Sequence, residues 1–429
     1  MRVLILGGNG FIGSSVARAL ACRGHAVTAL ARNRGVGARR MPELAWQEAD
    51  IARLRTPSHW QPLLAQVDAV VNCAGALQDG ARDDVVAVQE VAMQALYRAA
   101  AGSQVRLIVQ ISARTDGGAA DTAFLASKRN ADAALKASGM PFVILRPAIV
   151  IGRDAHGGSA LLRALAAVPL ATPLVHGGTP MQFAALDDVS ECVCRALDGR
   201  LAAGTDLDIA APEVLTLAQT VDRHRQWLGV PPRTAIAVSE IIARPVARAA
   251  DLLGHLGWRS PLRSTAMAAA AGGVTAPEPN ELPELRFKSL DETLRDAPGG
   301  VQDLWFARLY LLKPVIFGTS SLFWLLSGII ALLRFEASAA HLVDAGLSTA
   351  AATILTVLTS LADIALGVGV IVRRYAGPAL KGMVALSLAY LAAATLLSPT
   401  LWADPLGPLV KVLPSIVLAL VALAILDER

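Results

Sequence analysis

The chain has 429 residues, of which 54% are hydrophobic and only 17% are charged, whereas about 25% charged residues are usual for a soluble domain. Its net charge of +4 comes without a basic stripe interleaved with aromatic residues, which argues against nucleic acid as a partner. The length predicts two or three domains, and the charge deficit indicates that one of them is embedded in a membrane.

A glycine-rich turn follows the first predicted strand. Residues 3–6 form an apolar run typical of a strand buried on both faces, and residues 14–21 predict a helix. Gly7, Gly10 and Gly13 lie between them. This order brings unpaired N–H groups and the positive end of a helix dipole to one place, as in a pyrophosphate site. An ordinary tight turn is the alternative.

The second predicted strand covers residues 25–30, and two arginines follow it. An acidic residue near this point binds the ribose 2′-OH of NAD, whereas arginine accommodates the 2′-phosphate of NADP. No Asp or Glu follows this strand directly, and Arg32 and Arg34 do. The sequence therefore predicts NADP rather than NAD, with a solvated loop as the alternative for the two arginines.

Two further strand ends complete the predicted cofactor site. Asp50 and Ile51 end the third strand, where we expect them to face an adenine. Cys73, Ala74 and Gly75 break the next buried strand, and such small residues allow a cofactor to approach closely. A plain turn is again the alternative.

Together these parts resemble the short-chain dehydrogenase/reductase superfamily, in its extended or atypical branch of NAD(P)-dependent epimerase/dehydratase-like proteins. The resemblance covers about residues 1–270 and rests on Gly7-Gly8-Asn9-Gly10-Phe11-Ile12-Gly13, Asp50-Ile51, Asn72-Cys73-Ala74-Gly75, Ser112, Lys128 and Leu145-Arg146-Pro147. It implies an α/β domain with a Rossmann-type doubly wound parallel sheet at residues 1–273. It also implies a small substrate lobe from about residue 155, and Phe11 and Ile12 among the cofactor-binding residues.

The resemblance further implies a catalytic Ser, Tyr and Lys, with the Tyr four residues before the Lys on one helical face. Ser112 and Lys128 match, but Phe124 stands at the Tyr position and cannot move a proton. Lys128 can still hold the nicotinamide ribose, so cofactor binding survives this replacement better than chemistry does. Thr122 and Ser127 are candidate substitutes without the acidity of a phenol.

The composition changes near residue 273. We expect a linker and interfacial segment at residues 274–305 and an all-α membrane domain at residues 306–429. Four apolar windows approach or exceed the ~20 residues that span a bilayer, at residues 309–333, 347–372, 380–397 and 410–426. This half resembles the DoxX-like four-helix membrane family through its aromatic-rich residues 305–310 and 323–328.

Basic residues predict the orientation of these spans. Arg373, Arg374 and Lys381 join the second and third spans, so the positive-inside rule places the nucleotide domain and the C-terminus in the cytoplasm, at the inner membrane of the cell. Asp363 lies near mid-membrane, where an acid is costly unless it is paired. We expect it to pair with Lys313.

The sequence predicts a membrane-anchored NADP-binding protein, with the lipid bilayer as its partner. As an enzyme it would be an oxidoreductase acting on a lipophilic carbonyl, alcohol or quinone, which the membrane would concentrate. The alternative is a catalytically silent NADP-binding scaffold or redox sensor, and the sequence leaves both open. The four cysteines have no metal or redox spacing, so we expect reduced thiols and no metal site.

Overall fold

The computed structural model describes residues 1–76, 78–80, 83–114, 122–276 and 285–427. The chain divides into two compact units, the first formed by Met1–Asp251 and Ser260–Arg308 and the second by Leu252–Arg259 and Leu309–Arg429. Residues 277–284 of the predicted linker lie outside the described residues.

The strands are β1 (Arg2–Leu6), β2 (Ala26–Ala31), β3 (Ala45–Glu48), β4 (Ala69–Asn72), β5 (Leu107–Ile111), β6 (Phe142–Pro147), β7 (Ile149–Ile151), β8 (Thr172–Leu174), β9 (Pro180–Met181), β10 (Phe183–Ala185), β11 (Thr205–Ile209), β12 (Leu215–Thr216) and β13 (Ala235–Ala237).

The helices are α1 (Phe11–Cys22), α2 (Arg34–Arg40), α3 (Pro57–Leu64), α4 (Ala92–Ala101), α5 (Ala123–Ala137), α6 (Gly158–Ala166), α7 (Leu186–Leu197), α8 (Leu217–Trp227), α9 (Glu240–His255), α10 (Ser264–Ala271), α11 (Leu290–Asp296), α12 (Val301–Leu333), α13 (Phe335–Asp344), α14 (Thr349–Ile371), α15 (Arg373–Leu397) and α16 (Val412–Ala424).

A seven-stranded parallel sheet organises the first unit, with the strand order β11-β6-β5-β4-β1-β2-β3. Alternate residues of β1 enter the cores on opposite faces: Val3 and Ile5 on one face, Leu4 and Leu6 on the other. Burial on both faces explains why this strand is apolar from Val3 to Leu6. The order reverses between β1 and β4, the point where doubly wound sheets bind ligands beyond their strand ends. The predicted Rossmann-type sheet is confirmed.

A smaller lobe follows the sheet and has its own core, which includes Ile151, Leu162 and Phe183. Helix α11 adds Leu290 and Leu294 to this core, although it lies in the predicted linker. The two leucines are four residues apart and therefore share one helical face. Because these leucines pack in the core of the smaller lobe, α11 belongs to the first unit.

Among the described residues, three helices are long and apolar enough to cross a membrane: α12, α14 and α15. Helix α12 begins in the first unit and continues into the second. The fourth predicted window, residues 410–426, contains only the 13 residues of α16, fewer than the ~20 that a span requires. Pro405, Gly407 and Pro408 lie in the turns that precede α16, and these residues oppose an earlier helix start.

Glycines allow α12 and α14 to pack closely. A Cβ on Gly328 would lie 2.4 Å from the Ser360 carbonyl oxygen, and one on Gly367 would lie 2.7 Å from Leu325 Cγ. Small residues at such contacts let the backbones of membrane helices approach each other.

A polar contact joins three helices of the second unit. The buried Asp363 carboxylate on α14 accepts hydrogen bonds from Ser327 Oγ on α12, at 2.9 Å, and from Tyr390 Oη on α15, at 2.8 Å. The predicted pairing with Lys313 is wrong. Lys313 lies 14 residues before Ser327 on the same helix, a separation of about 21 Å along its axis.

Replacing Gly328 with Ala should weaken the packing of α12 on α14. The added methyl group would overlap the Ser360 carbonyl, and we expect a loss of about 1–3 kcal/mol and a lower thermal unfolding midpoint of the protein in detergent. The matched control is Gly318→Ala on the same helix, because nothing lies within 4 Å of a Cβ there. Equal midpoints for the two variants would contradict this account.

Candidate cofactor and active site

The turn between β1 and α1 has room only for glycine at its critical positions. Gly7 has a left-handed φ of 73°, and a Cβ there would lie 3.0 Å from Ala74 Cα. A Cβ on Gly13 would lie 2.2 Å from the Gly7 carbonyl oxygen. The Gly10 N–H donates to this same oxygen, at 2.9 Å. The predicted glycines therefore bring the turns after β1 and β4 together.

The N-terminus of α1 is open to an anion. Gly10 is the N-cap and offers no side chain to the first N–H groups, which belong to Phe11, Ile12 and Gly13. These groups have no acceptor within the helix and lie at the positive end of its dipole. The backbone thus fits a pyrophosphate, and a side chain at Gly13 could not be accommodated. The fit supports the family's dinucleotide cofactor on geometric grounds.

Phe11 also contacts His156. Its ring lies against the His156 ring, with the centroids 6.0 Å apart and the planes 23° from parallel. Sequence reasoning assigned no role to His156, because no ligand spacing or motif marks it. The stacking places this imidazole at the edge of the glycine turn.

The turn after β4 forms the second wall of the site. Asn72 Oδ1 accepts the Ala74 N–H, at 3.0 Å, and Asn72 Nδ2 donates to Gln110 Oε1, at 2.8 Å. These bonds fix the backbone of Ala74 and Gly75. Burial raises the pKa of the Cys73 thiol to about 12, so this side chain is neutral at physiological pH.

Lys128 reaches this wall from α5. A Cβ on Gly75 would lie 3.8 Å from Lys128 Nζ, which donates to the Ile111 carbonyl oxygen at 2.9 Å. The side chain is almost completely buried, and burial lowers the pKa of its ammonium group to about 8, although the nearby Asp132 carboxylate opposes this change. Lys128 is therefore positioned beside the cofactor turn, but held by the protein backbone.

Ser112 lies at the end of β5 and bonds to a residue that sequence reasoning missed. Its Oγ donates to Asp132 Oδ2, at 2.6 Å. Asp132 follows Lys128 by four residues on α5, and this spacing was the available signal, since it places both side chains on one face. Burial raises the pKa of the Asp132 carboxyl, and Arg146 Nε lies 3.6 Å from the same oxygen.

The side chains near the missing tyrosine do not replace it. Phe124 is half-buried one turn before Lys128. The Thr122 hydroxyl accepts the Leu125 N–H and caps α5, at 3.4 Å. The Ser127 hydroxyl donates to the Phe124 carbonyl oxygen, at 3.0 Å, and accepts from Gln89. Both hydroxyls thus serve the structure of α5.

The arginines after β2 have acidic neighbours. Arg32 Nη1 donates to Asp83 Oδ1, at 2.8 Å, and its side chain is half exposed. Arg34 is the first residue of α2, and its backbone N–H donates to Glu48 Oε2 at 3.2 Å. Both arginines thus lie next to carboxylates that would compete with a 2′-phosphate, and their predicted role in binding it stays a prediction.

Asp50 and Ile51 contribute mainly to local structure. Asp50 Oδ1 accepts the Ala52 N–H, at 3.2 Å, and caps the 3₁₀ turn at Ile51–Arg53. The Ile51 side chain is buried in the core beneath the sheet. Their predicted contact with adenine stays a prediction.

Comparisons with known proteins support both halves of this description. Residues 7–167 match the family model described as NAD(P)H-binding, and residues 321–420 match that of the DoxX-like family. The chain therefore contains an NAD(P)-binding domain followed by a DoxX-like domain, as predicted, and the latter, with three long apolar helices, indicates association with a membrane. Curated proteins gave no match.

Two solved structures illustrate the similarity of fold. The structure of MoeE5 in complex with UDP-glucose and NAD is 19% identical, with a TM-score of 0.53, covering 72% of this chain and 100% of that one. UDP-glucuronic acid 4-epimerase from Bacillus cereus in complex with NAD is 16% identical, with a TM-score of 0.51, covering 73% of this chain and 99% of that one. At such identities the match establishes the fold alone.

The buried ammonium of Lys128 should make stability depend on pH. Its folded-state pKa of about 8 lies below the ordinary value of 10.5, so between these values the unfolded chain holds a proton that the folded chain lacks. Stability contributed by this group therefore rises with pH in that window. We expect Lys128→Met to stabilise the protein at pH 7 by up to about 3 kcal/mol, and this gain to shrink towards pH 10.5 in thermal unfolding.

The control for this experiment is Lys136→Met, on the same helix. Lys136 is half exposed and pairs with Asp206 at 2.6 Å, so its loss should lower stability only slightly and give no gain at pH 7. A Lys128→Met variant that is less stable than the wild type at pH 7 would show that the ammonium is fully compensated in the fold.

Proposed function

We propose that this protein is a membrane-anchored, NADP(H)-binding oxidoreductase that acts on a lipophilic carbonyl, alcohol or quinone. The observation that carries the proposal is the glycine turn, where a Cβ at Gly13 would lie 2.2 Å from the Gly7 carbonyl while the N–H groups of α1 stay open. Such strict exclusion of side chains next to a helix N-terminus suits a dinucleotide pyrophosphate. The apolar second unit favours a substrate that partitions into lipid.

The residues of this chain would have distinct tasks. The backbone N–H groups of Phe11, Ile12 and Gly13 would hold the pyrophosphate, and Arg32 and Arg34 the 2′-phosphate. When bound, the cofactor supplies hydride.

On the reacting side, Lys128 would turn from the Ile111 carbonyl to the nicotinamide ribose. Its ammonium, with a pKa of about 8, keeps a proton close to the site at neutral pH. Ser112 would orient the substrate oxygen once its hydroxyl leaves Asp132.

The proposed orientation places the nucleotide domain and the C-terminus in the cytoplasm. Arg373 and Arg374 begin α15 and Lys381 follows on the same helix, so the connection between α14 and α15 is the basic one. Basic connections stay on the cytoplasmic side. NADPH is present in that compartment, which agrees with this orientation.

A second candidate is an NADP-binding scaffold or redox sensor without turnover. Phe124 supports it, because the family's proton-transferring phenol is missing. The hydrogen bonds from Ser112 to Asp132 and from Lys128 to Ile111 also support it, because both groups are engaged within the protein. Turnover with a lipophilic acceptor separates the two candidates.

The test is NADPH oxidation by the full chain in proteoliposomes, with a short-chain quinone or a long-chain aldehyde as acceptor. We expect measurable turnover by the wild type, and at least a tenfold faster aldehyde reaction in Phe124→Tyr, because a general acid contributes 10²–10⁴-fold at a well-positioned site. NADPH binding without oxidation of either acceptor, in both proteins, would support the scaffold instead. Ser112→Ala should abolish the gain from the tyrosine.

Selectivity for NADP over NAD should depend on Arg32. We expect Arg32→Ala to weaken NADPH binding about tenfold and leave NADH binding unchanged, since a charge-assisted hydrogen bond contributes about 1.5–3 kcal/mol. Asp83→Asn removes the competing carboxylate and should tighten NADPH binding. Cofactor fluorescence titrations measure both effects.

Arg18→Ala is the matched control, because this exposed arginine lies on α1 beyond the glycine turn. A parallel loss of NADPH and NADH affinity in Arg32→Ala would mean that Arg32 stabilises the loop and does not recognise the phosphate.

A further inference from the structure

Helix α9 carries its large apolar residues on the outside. Four of them are strongly exposed: Ile241 by 75%, Ile242 by 69%, Leu252 by 65% and Val246 by 55%. The residues that α9 buries are small, among them Ala247 and Ala250. A surface helix of a globular protein normally buries its large apolar residues and exposes charged ones. On α9 this distribution is reversed.

The exposed apolar residues form one continuous face. At 3.6 residues per turn, positions 241, 242, 245, 246, 249 and 252 fall within an arc of about 140°. The charged residues lie on a separate strip beside it, at Glu240, Arg244, Arg248 and Asp251. An apolar face bordered by arginines is typical of helices that lie in the plane of a membrane interface.

The charge around the helix favours an anionic surface. Residues 231–263 contain five arginines and two carboxylates. Glu240 pairs with Arg244, at 3.5 Å, and with His176, at 2.9 Å, and Asp251 pairs with Arg263, at 3.2 Å. The arginines outnumber the carboxylates, so the segment has a net positive charge. Juxtamembrane basic residues are attracted to the anionic lipids of the cytoplasmic leaflet.

The C-terminal end of α9 is continuous with the membrane unit. Residues Leu252–Arg259 belong to the second unit. There the Trp258 Nε1 donates to the Ile371 carbonyl oxygen, at 2.6 Å, and the Arg373 N–H donates to the Leu256 carbonyl oxygen, at 3.0 Å. Ile371 ends α14 and Arg373 begins α15, so these bonds fix the segment at the connection between two membrane-spanning helices.

We propose that α9 lies in the membrane interface, with Ile241, Ile242, Val246 and Leu252 among the lipid acyl chains and Arg244 and Arg248 at anionic headgroups. The occupant of this face is the bilayer that the second unit spans. Continuity with the α14–α15 connection and the net positive charge favour lipid over a second copy of the chain or another protein. Helix α9 would then lie in the headgroup region, through which lipophilic molecules enter and leave the bilayer.

The test uses the full chain in lipid nanodiscs and needs no cofactor. Ile242→Cys is labelled with the fluorophore NBD in a Cys22→Ser, Cys73→Ser background, because Cys22 is exposed and Cys73 is half-buried, whereas Cys192 and Cys194 are buried. Nanodiscs contain phosphatidylcholine and phosphatidylglycerol, with or without lipids that carry a quenching nitroxide high on the acyl chain. The matched control is a label at Arg200→Cys, an exposed position of the first unit.

We expect a blue-shifted emission at position 242 and at least twofold quenching by the nitroxide lipids, with neither effect at position 200. The double substitution Arg244→Glu and Arg248→Glu should reduce this quenching in anionic discs. A label at Val246→Cys repeats the measurement should the first variant be unstable.

Two results would overturn the proposal. Emission at position 242 typical of water would show that the face is solvated. A blue shift without quenching by lipid would show that the face is covered by protein, either a second copy or a partner.

Discussion

The first unit depends on one close approach, that of the Gly7 carbonyl to the start of α1. The oxygen occupies the space that any side chain at Gly13 would need, and Gly7 itself lies against Ala74 of the neighbouring strand end. This contact joins β1, α1 and the turn after β4 at the point where the sheet order reverses. The glycine N-cap Gly10 leaves the first N–H groups of α1 without a side-chain cap. Cofactor binding is therefore a consequence of backbone packing more than of any single side chain.

The chemistry of the site is set by what surrounds Lys128. Phe124 stands where the superfamily that the sequence resembles has a tyrosine, while Lys128 bonds to the Ile111 carbonyl and Ser112 bonds to Asp132. A buried carboxylate and a buried ammonium on one face of α5 keep each other in the protein interior, where either alone would be costly. In this arrangement the Lys128 ammonium and the Ser112 hydroxyl each donate a hydrogen bond within the protein.

Local patterns in the sequence predicted the strands and helices well. They predicted the side-chain contacts between strands and helices poorly. The glycine turn, the apolar strands and three long apolar helices follow from the order and period of a few residues. The bond from Ser112 to Asp132 depends on how α5 lies against β5, which no local pattern specifies. The predicted pairing of Lys313 with Asp363 is wrong because Ser327, 14 residues further along α12, is the residue of that helix beside Asp363, and Tyr390 is the second donor. The fourth span was overestimated, since composition alone does not show where a helix begins.

The most direct measurement is hydrogen–deuterium exchange of the full chain in detergent, with and without NADPH. The proposed site holds the pyrophosphate at the N–H groups of α1 and the nicotinamide half beside the turn after β4. NADPH should therefore slow exchange in peptides that contain residues 8–14 and 73–76, and leave those of α14 unchanged. Unchanged exchange at the glycine turn under saturating NADPH, or protection confined to the second unit, would contradict this proposal.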